Sequence, residues 1–197
     1  FLAGRRFPVP MVDFAGILGD LSYMKSRAQS GVNNSRYFSN SNQGRHFNLK
    51  TKTTYDIATV RSFTSGTNHI VDYQGGWSNY PIPNDGVIFV ENNVWVEGAI
   101  SNKRVTIAAA NLVSGSVKSI YIGKDIRYTG YTNCTDMIGL IAQGDIEIYK
   151  DSEDDLRIDA ALVAQNGRVG RKNYQGGTDT IKSLITVYGS IVSNDRA

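Results

Sequence analysis

The chain has few of the residues that metal and redox sites need. It contains one cysteine, Cys134, and two histidines, His46 and His69, among 197 residues. These counts exclude an internal disulfide, a Cys/His zinc finger, a three-His metal site and the His-Glu-x-x-His metalloprotease motif. A Ser-His-Asp triad is compatible with the composition, but the Gly-x-Ser-x-Gly nucleophile elbow is absent. These counts leave no cysteine- or histidine-rich site for a metal, and we expect no metal site and no cofactor.

Long apolar runs and a strong net charge are also missing. No window approaches the roughly 18 uninterrupted apolar residues of a transmembrane helix, so we expect no membrane span. The net charge of +3 is too small to indicate a nucleic-acid partner by itself. Hydrophobic residues make up 41% and charged residues 20%, which is typical of a globular chain rather than a disordered one.

The charge is divided unevenly along the chain, and the division coincides with a turn-rich segment at residues 81–86. Residues 1–83 carry nine Lys/Arg and four Asp/Glu, a net charge of +5, and residues 84–197 carry twelve and fourteen, a net charge of −2. We interpret residues 1–83 as an N-terminal capping region and residues 84–197 as the coils of a β-solenoid. Together they are predicted to form one structural domain.

The N-terminal region combines a helix, a hairpin and polar loops. Asp13 is a suitable N-cap, Gly31 is a suitable C-terminal residue, and apolar residues between them recur at helical spacing, which predicts a helix at about 13–29. Two alternating runs separated by residues 51–54 predict a β-hairpin at about 46–61. We expect the helix to cover one open end of the solenoid and the hairpin to extend a sheet edge.

Short β runs with a recurring shape fill residues 84–197. Each has an apolar triplet, a tight turn and a second apolar run. The turn residues are Asn93, Asp125, Asp145, Gly167 and Ser190, at spacings of 32, 20, 22 and 23. The longer first spacing corresponds to a looped insertion at residues 111–118. A period of about 20–23 without intervening helices indicates a solenoid, whose coils bury their apolar faces by stacking.

This repeat predicts an all-β fold, a right-handed parallel β-helix with an N-terminal capping α-helix and a β-hairpin. The alternative is an antiparallel β-sandwich, which also contains many short strands. In the solenoid, ten apolar side chains are expected to point inward and stack in columns: Val94, Val96, Ile107, Ile122, Ile126, Ile141, Ile146, Ile148, Val163 and Val187.

Apolar and glycine motifs recur over most of the chain: Val12-Asp13-Phe14, Asp20-Leu21, Ala28-Gln29-Ser30-Gly31, Gly86-Val87-Ile88-Phe89-Val90, Val94-Trp95-Val96-Glu97-Gly98, Val105-Thr106-Ile107-Ala108-Ala109, Ile158-Asp159-Ala160-Ala161-Leu162-Val163-Ala164-Gln165-Asn166-Gly167 and Tyr188-Gly189-Ser190-Ile191-Val192. With the hairpin, these motifs resemble bacterial surface proteins associated with type IV pili. Such minor-pilin-like proteins display a β-solenoid outside the cell and are anchored by an N-terminal pilin-type helix. The resemblance implies an anchoring segment upstream of Phe1 and no catalytic residues.

Carboxylates are the groups that a carbohydrate-active β-helix enzyme or a calcium site would use. Asp125 and Asp145 fall at turns predicted to be equivalent, where stacked strands would place them about 5 Å apart. Paired carboxylates that close could bind calcium or share a proton. The simpler interpretation, which we favour, is that each hydrogen-bonds its own backbone. An acidic run at residues 151–155 lacks the Asp-x-Asp-x-Asp-Gly spacing of a calcium loop, so we interpret it as a solvated turn.

Two sets of residues are candidates for partner binding. The densest basic–aromatic cluster, which could contact phosphates and stack on a base, consists of Arg168, Arg171, Lys172 and Tyr174. The aromatic residues that could form a face for stacking on sugars are Trp77, Tyr80, Tyr128 and Tyr131. For both sets the simpler interpretation is an ordinary surface, either a loop that leaves a coil or rings that cover a sheet.

From the resemblance to minor-pilin-like proteins we predict a non-enzymatic bacterial cell-surface or pilus-associated structural and adhesive module, with no catalytic residues, located outside the cell. Its expected partners are other pilus or cell-surface proteins, or a surface glycan contacted through Trp77 or Tyr131. DNA binding would use the basic residues of 1–83 and the loop at 168–172, and the net charge of −2 on residues 84–197 disfavours it. A carbohydrate-active β-helix enzyme and an end-to-end polymer of solenoids are the remaining alternatives.

Overall fold

The computed structural model describes residues 14–40, 43–50, 53–113, 115–131, 135–172 and 181–195. In these residues strands predominate, and a single α-helix, α1 (Phe14–Ser30), precedes a 3-10 turn at Val32–Asn34. The strands are β1 (Arg36–Phe38), β2 (Gly44–Leu49), β3 (Thr54–Phe63), β4 (Ile70–Pro81), β5 (Val87–Val90), β6 (Asn93–Ile100), β7 (Arg104–Ala109), β8 (Ile120–Tyr128), β9 (Met137–Ala142), β10 (Ile146–Ile148), β11 (Asp155–Ala164), β12 (Val169–Gly170) and β13 (Leu184–Ser193). The prediction of an all-β fold with one N-terminal helix is confirmed.

The thirteen strands form one curled, mixed sheet. Its main path has the strand order β1-β5-β7-β9-β11-β8-β6-β2-β3-β4; β10 pairs with β8 and β12, and β13 pairs with β11. Pairing is parallel except in the meander β2–β3–β4, whose strands are antiparallel. The hairpin expected at about 46–61 corresponds to β2 and β3, in which Phe47 lies opposite Ile57.

Parallel pairing brings residues from distant parts of the chain into three columns. The first, across β5, β7, β9, β11 and β13, consists of Ile88, Ile107, Leu140, Leu162 and Ile191. The second, across β6, β8, β10 and β12, consists of Val94, Ile120, Ile146 and Val169. The third, across β6, β8, β11 and β13, consists of Gly98, Ile126, Ile158 and Val187. Branched aliphatic residues suit these columns because each packs on a similar side chain one strand away.

The corners of the coils, where the chain turns from one column to the next, do not follow the predicted pattern. Asp145 directly precedes β10 in the second column, whereas Asp125 directly precedes the part of β8 that belongs to the third column. The two aspartates therefore lie at different corners, and the prediction that they stack at equivalent turns is wrong. The connections also differ in length, since residues 110–119 join β7 to β8 and residues 143–145 join β9 to β10. Sequence spacing cannot align coils whose loops vary this much.

The columns line the main hydrophobic core. Seven of the ten side chains expected to point inward are buried in it: Val94, Val96, Ile107, Ile122, Ile126, Ile146 and Ile148. Val187 is partly buried against the same core. Ile141 and Val163 are exceptions, because Leu140 and Leu162 take the inward positions and strand residues alternate between faces. For these two residues the prediction is wrong by one residue of register.

The helix packs on the outer face of the sheet. Leu21 is fully buried in a separate cluster with Phe89 and Ala108, which alternate with the inward-facing residues of β5 and β7. An ion pair of 2.8 Å between Arg27 and Asp85 fixes the second half of the helix. We expected α1 to cover an open end of the core. It packs instead on the side of the sheet, because the outward-facing Phe89 provides an apolar surface there. Within the described part of the chain, no helix has the length and apolar content to cross a membrane.

The meander β2–β3–β4 closes one end of the core. Tyr55 and Ile57 of β3 are buried in the main cluster. The connection at residues 64–69 folds over the outer face of β6, where Nε1 of Trp95 donates to the main-chain oxygen of Asn68 at 2.8 Å. The hairpin therefore extends a sheet edge as expected, and it also covers the end of the core that we had assigned to the helix.

Candidate functional site

The four aromatic residues considered as a possible sugar-stacking face lie in separate places. Trp77 packs against His46, with ring centroids 5.1 Å apart. Tyr80 packs against Tyr55 at 6.0 Å, near the closed end of the core. Both belong to the meander, which keeps them away from the two remaining candidates. The predicted sugar-stacking face therefore does not form as a single surface.

Tyr128 and Tyr131 instead form a cluster with Tyr188, which sequence reasoning missed. The three ring centroids are 6.0–6.4 Å apart, and the ring of Tyr188 lies edge-on to both of the others. Tyr131 is 43% exposed and Tyr188 is 57% exposed. They line a groove of about 260 Å³, here named the tyrosine groove, whose residues are Tyr128, Gly130, Tyr131, Asp136, Met137 and Tyr188. No spacing in the sequence connects Tyr188 to the other two, and only the pairing of β13 with β11 places it there.

A buried aspartate holds the loop that presents Tyr131. The carboxylate of Asp136 accepts the main-chain N–H groups of Thr129 and Gly130, at 3.0 and 2.8 Å. It also accepts the N–H of Lys103 at 3.3 Å, which ties the loop to the turn before β7. Because charged acceptors form the stronger hydrogen bonds, these contacts fix this side of the groove against the sheet.

A second buried aspartate organises the opposite side. Asp159 is 0% exposed, and it accepts the main-chain N–H of Tyr128 at 3.0 Å, Nε–H of Arg157 at 2.8 Å and the hydroxyl of Tyr131. The guanidinium of Arg157 also lies 4.9 Å from the ring centroid of Tyr131, which is a cation–π distance. A buried carboxylate is costly unless all its partners are present. The network therefore fixes the Tyr131 ring and the guanidinium together.

Burial and hydrogen bonding raise the pKa of several groups beside the groove. Burial, together with the hydrogen bond to Asp159, raises the pKa of Tyr131, and burial also raises the pKa of Tyr128. The hydrogen bond to Asp159 raises the pKa of Arg157. At neutral pH the groove offers neutral hydroxyls and aromatic faces beside a cation that already has a partner.

The predicted basic cluster is not a free cationic patch. Arg171 is 5% exposed and donates from Nη2 to the main-chain oxygen of Lys150 at 2.8 Å. The main-chain N–H of Arg168 donates to Asp145 at 2.9 Å. Tyr174 lies outside the described residues.

Lys172, the remaining member of this cluster, is paired with acids. It contacts Asp145 and, at 3.3 Å, Glu147. Burial acts to lower the pKa of Lys172, but the hydrogen bond to Asp145 and the charge of Glu147 outweigh it and raise the pKa. Burial acts to raise the pKa of Asp145, and Lys172 outweighs it and lowers the pKa. Burial raises the pKa of Glu147. Lys172 is thus paired with two carboxylates, which weakens it as a phosphate-contacting group.

In the described ranges, the acidic residues do not gather around a metal site. Asp125 accepts the main-chain N–H of Arg157 at 2.7 Å. In the acidic run, Asp151 lies 3.4 Å from the imidazole of His69. Across the described ranges, no group of three or more His, Cys, Asp or Glu side chains is placed to hold a metal ion. The aspartates instead bind main-chain groups and single basic side chains.

Comparison with known proteins finds no relative. No protein-family model matches the chain, and no curated protein or solved structure matches it significantly. Its function is therefore inferred from the tyrosine groove and the strand columns.

Proposed function

We propose that the chain is an adhesive module, a right-handed parallel β-helix that binds carbohydrate in its tyrosine groove. The β-helix is supported by three columns of parallel, in-register strands. Right-handed connection is the rule for parallel strands joined by a crossover. In such a fold, Tyr128 of β8 and Met137 of β9 belong to one coil, and Tyr188 of β13 lies beyond the intervening β11 on the same stiff support.

The observation that carries the carbohydrate proposal is the group of three tyrosine rings around an open groove beside the Arg157–Asp159 pair. Sugar rings present apolar C–H faces that pack on aromatic rings, and hydroxyls that hydrogen-bond to phenol and guanidinium groups. The network around Asp159 holds the ring of Tyr131 before any ligand arrives, so little side-chain entropy is lost on binding.

The cellular setting of this proposal comes from the resemblance to minor-pilin-like proteins. It places the module at a bacterial cell surface or pilus, outside the cell, with surface proteins as neighbours and a glycan as ligand. The pilus association and this location stay predictions. A pilin-type leader followed by an apolar helix upstream of Phe1 is the feature that would support them.

A carbohydrate-active enzyme and a DNA-binding protein are less well supported. An enzyme would need two carboxylates that converge on one cleft, and Asp125 and Asp145 lie at separate corners. DNA contact would need cations free to replace counterions, and Lys172 is paired with Asp145 and Glu147.

A glycan array followed by calorimetry on the strongest ligand tests the proposal. Tyr131→Ala and Tyr188→Ala should each weaken binding by about tenfold, because each removes an aromatic contact of about 1.4 kcal/mol. The matched control is Tyr23→Ala, which removes a 72% exposed tyrosine from α1 and should bind like the parent. Binding should survive moderate salt, because stacking contacts are not screened.

Three results would contradict the proposal. One is the absence of binding across a broad array, or equal binding by the parent and Tyr188→Ala. Another is a submicromolar dissociation constant for duplex DNA at physiological salt that rises steeply as salt is added, which would favour the DNA alternative. The third is product release from uronate, glucan or peptidoglycan panels that disappears in Asp125→Ala or Asp145→Ala, which would favour the enzyme.

A further inference from the structure

β13 lies at an edge of the described sheet. Among the described strands it pairs only with β11. The N–H of Leu184 donates to the main-chain oxygen of Asp154, so the amides of even-numbered residues point toward β11. Alternate residues of a strand direct their main-chain groups to opposite sides. The N–H groups of Ile185, Val187 and Ile191 therefore point to the open edge.

The amino-acid composition of β13 is typical of a strand whose edge is covered. Leu184–Ser193 contains no charged residue and no proline, which are the usual protection of an edge strand. Ile185 and Ile191 are 41% and 49% exposed. An apolar cavity of about 200 Å³ opens between Val187, its neighbours on β13 and the core of the earlier coils. Apolar patches of this kind mark interaction surfaces.

The opposite end of the core is not free to bind the apolar surface that β13 forms. It carries the meander β2–β3–β4, with Tyr55 and Ile57 buried beneath it. Head-to-tail stacking would have to displace the meander, which disfavours the end-to-end polymer considered from the sequence. Two open ends can instead meet about a two-fold axis, the symmetry of most homodimers.

The charges that flank β13 suit a two-fold pairing. Lys182 precedes the strand and Asp195 follows it. In an antiparallel pair of β13 strands, the start of one lies at the end of the other, so each Lys182 comes near the partner's Asp195. We propose that two copies of the chain join at this end, with β13 pairing antiparallel to β13 of the second copy.

Such a dimer carries two tyrosine grooves. The pairing uses main-chain groups of β13 and the inward-facing Val187 and Ile191, whereas Tyr188 lies on the alternate face, in register with Asp159. Both grooves stay open, and a surface that bears many copies of a glycan would engage both at once. This consequence rests on the proposed function, whereas the dimer itself does not.

Sedimentation equilibrium of the full chain from about 1 to 100 μM tests the dimer. We expect twice the mass of the 21.6 kDa chain. Val187→Pro removes one N–H from the open edge and leaves the ladder to β11 intact, so it should raise the dissociation constant at least about tenfold. Ile191→Lys should do the same. The matched control is Val113→Lys, at a residue that is 80% exposed in the loop after β7 and should leave the dimer unchanged.

Charge reversal tests the orientation of the two strands. Lys182→Asp and Asp195→Lys should each weaken the dimer by placing like charges together, and the double variant should restore it. Circular dichroism of every variant verifies that it folds. The proposal is overturned if the parent chain stays monomeric over the whole concentration range. It is also overturned if Val187→Pro and both charge reversals leave the dimer unchanged. If the double variant folds but dimerises as weakly as the single variants, the antiparallel arrangement is wrong.

Discussion

Asp136 and Asp159 are buried carboxylates that hold exposed aromatic rings in place. Each accepts hydrogen bonds from three donors, and these donors include the hydroxyl of Tyr131 and the N–H groups of its loop. A charged acceptor with several donors is strong only while the set is complete, because removal of one member leaves the others buried and unpaired. The shape of the tyrosine groove therefore depends on these two carboxylates as well as on the rings themselves.

Substitution of Asp159 tests this dependence. Asp159→Asn should lower the free energy of unfolding by about 2–3 kcal/mol, because it breaks a buried, charge-assisted network with Arg157 and Tyr131. It should also weaken glycan binding. Urea denaturation measures the loss. The control is Asp72→Asn, whose ion pair with Arg61 is about half exposed and should contribute less than about 0.5 kcal/mol. Equal losses in the two variants would contradict the role of the network.

The pair formed by Asp145 and Lys172 makes stability depend on pH. Lys172 lowers the pKa of Asp145 in the folded protein from its ordinary value of 3.8, against the opposing effect of burial. A carboxyl with a lowered pKa stabilises the folded state above its unfolded pKa, and that contribution is lost as the pH falls through the folded pKa. Because Lys172 is 40% exposed, solvent screening limits the contribution to about 1 kcal/mol.

Asp145→Asn should therefore cost about 1 kcal/mol at neutral pH and less near pH 2, because protonation of the native carboxyl removes the charge that the variant also lacks. Urea denaturation of the parent and the variant at both pH values checks this. Equal destabilisation at the two pH values would mean that packing, and not charge, explains the effect.

At the scale of elements, strand corners and lateral packing decide where each segment lies. Within β6 the chain passes from the second column to the third at Gly98, which has a φ of 101°. A Cβ at this position would lie 2.2 Å from the main-chain oxygen of Leu49 in β2. Only glycine permits both the conformation and the close approach of the two strands.

Gly98→Ala should lower the free energy of unfolding by about 2–4 kcal/mol, through the strained φ and the clash with Leu49. Urea denaturation measures this loss. The matched control is Gly76→Ala in β4, where a Cβ would meet no atom within 4 Å. It should change stability by less than about 0.5 kcal/mol. A well-tolerated Gly98→Ala would show that β2 and β6 are not so closely packed.

Leu21 tests the packing of α1. Leu21→Asp should destabilise the protein by at least about 3 kcal/mol, because an unpaired charge would be buried against Phe89 and Ala108. Tyr23→Asp, at a residue that is 72% exposed on the same helix, is the control for any loss of helix propensity. Melting temperatures compare the two variants with the parent. An unchanged melt for Leu21→Asp would mean that α1 does not pack on the sheet.

The described part of the molecule has one end covered by the meander and one end without a further strand. The meander covers the first strands of the columns, and β13 leaves the last coil without a neighbour among the described strands. In a stack of coils, each coil gains most of its stability from the coils on either side. The end that carries β13 is therefore expected to be the least stable part of the sheet.

Hydrogen exchange tests this gradient. In dilute, monomeric protein the amides of β13 should exchange faster than those of β6 and β8, because β13 has a partner on one side only. At concentrations where the dimer forms, exchange in β13 should slow while that of β6 stays constant. Equal exchange rates in β6 and β13 of the monomer would contradict the gradient.

Local properties of the chain were predictable from the sequence. The helix near residues 13–29, the hairpin near 46–61 and the strand-rich remainder follow from apolar periodicity, caps and turn residues, which act over a few neighbouring positions. The exposed Tyr131 was identified for the same reason, since an aromatic residue in a polar loop is visible locally. The alternation of inward- and outward-facing residues along each strand predicted most of the core residues. The prediction was wrong at Ile141 and Val163, where a shift of one residue exchanges the two faces of the strand.

Only the tertiary structure decided which distant residues meet. Loops of unequal length set the register of the coils, and this separated Asp125 from Asp145 and brought Tyr188 to Tyr131. The tertiary structure also decided which charges are paired. Lys172, for example, contacts acidic residues that come from another coil. The physical reason is the same in each case: parallel pairing joins segments that are twenty or more residues apart, and the free energy of that pairing comes from contacts that no local pattern records.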